Sequence, residues 1–438
     1  MISSFLKTLQ FKTFLRNTGN YFSSALLSKI LNLATFVILG NLLEPKYFAE
    51  YAIFIASVSF VSIFTTFGLR SGIMRVHWED KQEILSNSLA FLIFSCILTY
   101  ILIFLIQDLI FGVIHESYIF LKSVINLVVI KAISTSIVGI ISTYYVNLEK
   151  SKDFLKLNFF VSILNFLPIL SLFLLEVEND PNTILVYIFS VQVFSGILAA
   201  SYAINYTRSD ISLNKVNLKK IYELFKLIWV FFAKQNIGFF QSNVGLIALS
   251  FLSSMEVLGI YSFYNQLLTQ MGILNAAFFK AYTPKIKNLI NSNNRNNAKR
   301  AIALVFRSLK LYLIISLLMA GGGYLLMSIV SSNKDFFAIF VNRQYILNID
   351  LLYFMLLLFF FGAFRQFLDV WQYLNINKIP KYIISIQFAS LALLYIGAIY
   401  LVPIYNIYGI LINQLIVSLF ILGANSFFFH RLIYKLHN

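Results

Sequence analysis

The sequence predicts an all-α integral membrane protein: twelve transmembrane helices in two six-helix bundles related by a pseudo-twofold axis along the membrane normal. Three observations predict it. The chain is too apolar for water, its loops alternate in charge, and it carries one short phrase twice, half a length apart.

Of the 438 residues, 59% are hydrophobic and 12% are charged, with a mean hydropathy of +0.80. A soluble domain is nearer half apolar and a quarter charged. No core absorbs that surplus, so most of the apolar surface must face lipid. Stretches of about 20 apolar residues, the length that spans a bilayer, fall at 21–43, 48–69, 86–110, 118–146, 154–176, 182–205, 221–252, 257–281, 302–330, 347–374, 380–402 and 405–430. "VPIYN" at 402–406 must then be a tight turn. Segment 1–20 carries Lys7, Lys12 and Arg16 among apolar residues at helical spacing. It reads as an interfacial helix and not as a cleavable signal.

The two tails and the loops after even-numbered spans carry 23 of the Lys and Arg residues. The loops after odd-numbered spans carry only Lys46, Lys122, Lys334 and Arg343, and include the acidic "EVEND" at 176–180. Basic loops stay inside, so both termini are expected in the cytoplasm. An even number of spans follows, in agreement with the hydropathy count. The net charge of +16 then reflects topology, and no nucleic-acid partner is expected.

The repeated phrase is "YVNLEKSKDF" at 145–154 and "YLNINKIPKY" at 373–382, a constant offset of 228. A second echo pairs Leu42, Phe48, Ala49 and Tyr51 with Leu252, Leu258, Gly259 and Tyr261, at an offset of 210. Both echoes fall at matching topological positions. Spans 1–6 and 7–12 therefore read as two copies of one bundle in the same orientation. The expected domains are bundles at 21–206 and 221–430, joined by a cytoplasmic linker at 207–220 and followed by a cytoplasmic tail at 431–438.

Several functions are excluded. Cys96 is the single cysteine, so there is no intrachain disulfide or multi-cysteine metal site. His77, His115, His430 and His437 are scattered through loops and helix ends, and no phosphate-loop motif occurs. No metal, cofactor or enzymatic chemistry is expected. The triple glycine Gly321–Gly323 lies inside span 9 and reads as helix flexibility or close packing.

Seven basic residues fall inside the spans. Lys226, Arg307 and Lys310 lie within two turns of the cytoplasmic ends, where snorkelling accounts for them. Lys29, Lys131, Lys234 and Arg365 are deeper. Each would cost roughly 2.5–3.5 kcal/mol facing lipid at mid-bilayer. They either pair, pack and snorkel, or they face a water-filled cavity. Asp369 lies one helical turn after Arg365 and is the single acid deep within a span. It is either an ion-pair partner or a carrier of a coupling proton. Amides accompany the bases: Asn32 on the face of Lys29, Gln241 after Lys234, Gln266 and Gln270 at i, i+4, and Gln366 beside Arg365. One by one, amides join helices by hydrogen bonds. Together with the bases they suggest a polar, cationic lumen lined by both halves, suited to phosphate, carboxylate or sugar.

The stretch Ala25–Arg75, "ALLSKILNLATFVILGNLLEPKYFAEYAIFIASVSFVSIFTTFGLRSGIMR", resembles the opening of the Wzx-type polysaccharide flippases of the multidrug/oligosaccharidyl-lipid/polysaccharide (MOP) exporter superfamily. The matching features are the hairpin Leu42–Tyr51, with Ala49 in place of the family's usual glycine, and the helix end Phe67–Leu69. "SMEVLGIYSFYNQL" at 254–267 is similar to the family's second hairpin, and "VPIYNIYGILINQL" at 402–415 to its closing helices. The resemblance covers nearly the whole chain. It implies a MATE-like fold with alternating access. It implies a flippase that carries undecaprenyl-pyrophosphate-linked oligosaccharide, an O-antigen or related repeat unit, from the cytoplasmic to the periplasmic leaflet. It also implies coupling to H+ or Na+ and work beside an O-antigen polymerase and a chain-length regulator. Lys29, Lys131, Lys234 and Arg365 would then grip the pyrophosphate or acidic sugars, although the family motif does not place them.

Other readings share parts of this pattern. A multidrug or cation exporter of the same superfamily tends to use lumenal acids, against the single deep acid and four deep bases here. A lipid II flippase commonly has helices beyond twelve. An O-antigen polymerase would be expected to carry a large periplasmic loop, whereas those near 111–117 and 331–346 are short.

Overall fold

The computed structural model describes residues 9–437 except 77, 79, 114, 175–180, 272–312, 315, 319, 326–327, 347 and 371–380. Helix is the regular structure throughout the described residues, with no strand among them. The longer helices are α1 (Leu9–Leu42), α2 (Pro45–Thr66), a short α3 (Leu69–Ile73), α4 (Lys81–Val113), α5 (Leu121–Asn147), α6 (Ser151–Leu174) and α7 (Pro181–Tyr206). They continue with α8 (Leu218–Ser242), α9 (Val244–Leu252), α10 (Met255–Met271), α11 (Leu351–Val370), α12 (Lys381–Tyr405) and α13 (Ile407–His437).

Among the described residues, seven helices are long and apolar enough to cross a bilayer, and three shorter apolar stretches (Leu26–Leu42, Ser316–Ser332 and Leu351–Gly362) accompany them. Parts of spans 257–281, 302–330 and 347–374 lie outside the described residues. Two boundaries differ from the sequence expectation. The interfacial segment continues into the first span as the single helix α1. The expected span 221–252 is broken at Asn243 into α8 and α9. Ser242 and Asn243 stand at the break, and the short polar side chains of such residues compete for the backbone bonds a helix needs.

α4 shows why lipid must surround the chain. Asp80 accepts from the backbone N–H of Gln82 at 2.9 Å and starts the helix. Farther along, Phe94, Phe104 and Leu109 are 65%, 62% and 73% exposed. A large apolar face left open on a helix of this length is a lipid-facing surface.

The chain divides into two compact units. The N-terminal unit comprises residues 26–39 and 46–239. Within it α5 packs along α7. Small residues on α7, Gly196, Ala199, Ala200 and Ala203, are buried and let the two helices approach closely. Phe54 of α2 stacks on Phe189 of α7 with centroids 4.1 Å apart. The first copy of the repeated phrase is the turn from α5 to α6. Glu149 takes a left-handed conformation, φ 57°. Lys150 N–H then donates to Tyr145 O at 3.0 Å and Leu148 N–H to Tyr144 O at 3.0 Å. This closes the helix carbonyls in the manner of a Schellman turn. Tyr145, Val146 and Phe154 of the phrase are buried around it. The second copy falls largely outside the described residues.

The C-terminal unit comprises the described residues of 1–25, 40–45 and 240–438. Val244, Leu394, Val417 and Ile421 form a core where α9, α12 and α13 meet. The turn is tighter than the expected "VPIYN": α12 runs on through Pro403 to Tyr405, and Asn406 alone, at φ 49°, joins it to α13. The turn between α1 and α2 packs in this unit. Tyr345 O–H donates to Leu43 O at 3.1 Å, Phe263 stacks on Tyr345 with centroids 4.4 Å apart, and Tyr264 O–H donates to Tyr345 O. Gly259 lets the backbone of α10 meet Pro45 O, where any Cβ would collide. The triple glycine is different: a Cβ at Gly321 or Gly322 would meet nothing within 4 Å, so close packing does not explain those two positions.

Candidate substrate-binding site

Lys131 projects from the middle of α5 into a cage made by α6 and α7. Its Nζ donates to Asn165 Oδ1 at 3.1 Å and to the backbone oxygen of Gln192 at 2.7 Å. Ser195 Oγ donates to the same Gln192 oxygen at 2.9 Å and lies 3.4 Å from Asn165 Oδ1. Gln192 Nε2 in turn donates to the buried Tyr51 hydroxyl at 3.1 Å. Gly196 leaves the room: a Cβ there would sit 3.0 Å from Lys131 Cδ and 3.3 Å from Nζ. Among the described residues Lys131 has no ion-pair partner. A lysine cation with only neutral acceptors keeps its full charge to offer, and two acceptors leave one of its three donors for a further ligand. A cage of this kind suits an oxyanion.

A polar track continues on the same faces. Lys131, Thr135 and Gly139 repeat every four residues along α5, and Asn158, Ser162 and Asn165 line one face of α6. Ser162 Oγ is 2.6 Å from Ser28 Oγ on α1, beside Lys29. The Lys29 side chain is half-buried and Asn32 is exposed. Lys234 of α8 is half-buried.

In the C-terminal unit, Gln241 Nε2 donates to Gln387 O at 2.9 Å and to Ser390 Oγ at 2.6 Å. This bond fastens the end of α8 to α12. Gln266 of α10 is half-buried. The side chains of Gln270, Arg365, Gln366 and Asp369 lie outside the described residues, although their backbones belong to α10 and α11. The structure therefore brings Lys131 together with polar partners that the sequence did not single out, Asn165, Gln192, Ser195 and Tyr51. The i, i+4, i+7 spacing of Asn158, Ser162 and Asn165 within an apolar span was the signal available for the α6 face.

A second cation was counted with the cytoplasmic loops. Phe67 and Gly68 both take left-handed conformations, φ 46° and 79°, and break α2 from α3. Gly68 lies against the α8 backbone, where a Cβ would be 2.7 Å from Ile228 O and 2.8 Å from Phe232 N. The break turns Arg70 inward. Its Nη2 donates to Thr135 O at 3.3 Å, its Nε is shut off from solvent with no hydrogen-bond partner, and its guanidinium lies over Gly139. Burial works against its charge and lowers its pKa. Among the described residues, no group of three or more His, Cys, Asp or Glu is placed to hold a metal ion.

Helices of this length, lipid-facing surfaces and a cationic cage inside the helical packing define a membrane transporter. The solved structures similar to this chain agree on the fold. An inward-facing MATE-family multidrug resistance transporter of the MOP superfamily matches with a TM-score of 0.68 at 12% identity, covering 96% of this chain and 99% of that one. A Vibrio cholerae MATE transporter matches at 0.65 and 11% identity, with 97% of each chain covered. An outward-facing MATE transporter of the MOP superfamily matches at 0.61 and 13% identity, over 97% of this chain and 96% of that one. The fold is thus the twelve-helix, two-bundle fold of these transporters. The profile of the polysaccharide biosynthesis protein family matches residues 14–290. The chain belongs to that family, to which the Wzx-type resemblance of the sequence also pointed. No curated protein sequence matches it.

Proposed function

We propose that this chain flips undecaprenyl-pyrophosphate-linked oligosaccharide, an O-antigen or related repeat unit, from the cytoplasmic to the periplasmic leaflet of the bacterial inner membrane. It works by alternating access through a cationic lumen and makes or breaks no bond. Both termini are cytoplasmic, and H+ or Na+ drives the cycle. The observation that carries this reading is the Lys131 cage: a cation inside the helices, held by neutral acceptors, with one donor to spare. Such a group can grip an anionic headgroup because, among the described residues, no carboxylate competes for its charge. Lys29, Lys234 and Arg365 add positive charge for the pyrophosphate or acidic sugars, and Asn32, Gln241, Gln266, Gln270 and Gln366 supply polar contacts. Asp369 is the candidate coupling residue. An O-antigen polymerase and a chain-length regulator receive the product.

The experiment is complementation of a strain lacking this gene, scored by surface-polysaccharide ladder and by the lipid-linked oligosaccharide left in the membrane. Lys131→Met is expected to lose the ladder and accumulate lipid-linked precursor at normal protein abundance, and Lys131→Arg to retain part of the ladder. A full ladder in the deletion strain itself would overturn the reading.

A further inference from the structure

We propose that Arg70 is a second oxyanion site, on the cytoplasmic side of Lys131, that receives the pyrophosphate of an isoprenoid carrier before it reaches the cage. The inference rests on the flippase reading above and adds a residue that the sequence assigns to a loop. Three features of the N-terminal unit carry it. First, Arg70 is a cation without a counter-ion among the described residues. Arg75, five residues on, lies with its guanidinium 4.5 Å from the Phe231 ring centroid, whereas Arg70 has the Thr135 carbonyl alone. Second, its buried Nε–H has no acceptor. A buried donor left unmade is costly and calls for an explanation. The Nε and Nη edge of a guanidinium is the fork that takes two oxygens of one phosphate. Third, α5 is cut to fit. Gly139 provides the floor under the guanidinium, which any side chain there would displace.

The spacing suits a relay. Arg70 bonds to the backbone of Thr135 and lies over Gly139, one and two turns from Lys131 on the same face of α5, so the two stations are about 6–12 Å apart along the helix axis. The α5 residue between them on that face is the polar Thr135. The topology of the charged loops puts α3 on the cytoplasmic side, where the carrier is loaded. The side chain nearer that face would bind first.

The test uses the purified full-length protein in detergent, with thermal stability read against three probes: farnesyl pyrophosphate, inorganic pyrophosphate and phosphatidylglycerol. Farnesyl pyrophosphate is expected to stabilise the wild type at the lowest concentration. Arg70→Gln should raise the concentration required by about tenfold or more, the size of one charge-assisted hydrogen bond, and Arg70→Lys should recover part of it. Gly139→Ala, which keeps the charge and only displaces it, should weaken binding in the same direction and guards against a folding defect in Arg70→Gln. Equal binding by wild type, Arg70→Gln and Gly139→Ala would overturn the proposal. So would stabilisation by phosphatidylglycerol at the same concentrations, which makes the site a bulk-lipid contact. Loss of binding in Lys131→Met with none in Arg70→Gln would sink the relay and leave the flippase reading standing. Absence of farnesyl pyrophosphate binding by the wild type would sink both.

Discussion

The two units fasten their helices in the same way and fill the space between them differently. In the N-terminal unit, Gln192 of α7 reaches the buried hydroxyl of Tyr51 on α2 at 3.1 Å. In the C-terminal unit, Gln414 of α13 reaches the buried hydroxyl of Tyr261 on α10 at 3.2 Å. Tyr51 and Tyr261 are the pair already aligned by the sequence echo. A second bond repeats too. Ser28 meets Ser162 at 2.6 Å, and Gln241 meets Ser390 at 2.6 Å, with Ser390 at the phrase offset of 228 from Ser162. The contents diverge. The same offset carries Lys131 to Phe359 and Asn165 to Leu393. The two units share these fasteners, and at the position aligned with Lys131 the C-terminal unit carries an apolar residue. The fasteners and the cage therefore occupy different positions here, and variants can probe them one at a time.

The largest effect is expected from exchanging the contents. Lys131→Met should lower export by about ten- to a hundredfold, the range for losing hydrogen bonds from a charged group. Its thermal stability should stay level or rise, because a buried cation among neutral partners is replaced by an apolar side chain. Phe359→Lys is the mirror experiment. With no cage of acceptors at Leu393 it should cost about 2.5–3.5 kcal/mol, read as lost membrane abundance. If Phe359→Lys were well tolerated and Lys131→Met unfolded the protein, the cation would be part of the scaffold after all.

The fasteners come next. Tyr51→Phe and Tyr261→Phe each remove one hydroxyl and leave a glutamine amide without its acceptor. Both should cost about 0.6–1.7 kcal/mol, the range for polar bonds between membrane helices, measured as matched shifts in thermal unfolding. Only Tyr51→Phe should also slow export, because Gln192 holds Lys131 through its backbone oxygen. Equal transport defects in the two variants would remove the functional distinction between the units.

Much of this was legible in the sequence, for a physical reason in each case. Lys131 stood out because lipid makes a charge expensive wherever it is not compensated. The first copy of the repeated phrase carries a physical demand: the α5–α6 turn needs a left-handed residue and buried aromatics at fixed places. The α12–α13 turn was legible from Asn406, although the helix runs on through Pro403 to Tyr405. Arg70 was not. Charge counting put it in a loop, and only the two left-handed residues Phe67 and Gly68 turn it back under α5. Glycine in "FGLR" permits that turn and does not demand it. The cage partners Asn165 and Gln192 were also missed, since a single amide within a span usually joins helices, as Gln241 does.

A smaller effect tests whether the second fastener is equally shared. Ser162→Ala leaves Ser28 without its cross-helix partner and should cost about 0.6 kcal/mol. Ser390→Ala should cost less, because Gln241 Nε2 keeps Gln387 O as an acceptor. Thermal unfolding of the two variants side by side checks the order.

The smallest effect concerns the linker, which packs wholly on the N-terminal unit. Asp80 pairs with Lys215 at 2.5 Å, and Glu83 pairs with Lys220, whose ammonium also sits 5.1 Å from the Trp78 ring centroid. Ser86 Oγ accepts from Ser212 N–H at 2.9 Å, and Asn87 Oδ1 from Asn217 N–H at 2.8 Å. The bond from Lys215 holds the Asp80 carboxyl below its ordinary pKa of 3.8. The ionised form is thus the one the fold favours. Its contribution is complete at neutral pH, above the unfolded value, and disappears as pH falls through the lowered folded value. Hydrogen exchange at the Ser212 and Asn217 amides, corrected for intrinsic rates, should therefore speed up only below about pH 4. Asp80→Asn should reproduce the loss at neutral pH, by about two- to fivefold, because an exposed pair is worth little. Export should be unchanged. If it fell along with linker protection, the linker would belong to the transport cycle, and the N-terminal unit would differ from its twin in how it moves as well as in what it holds.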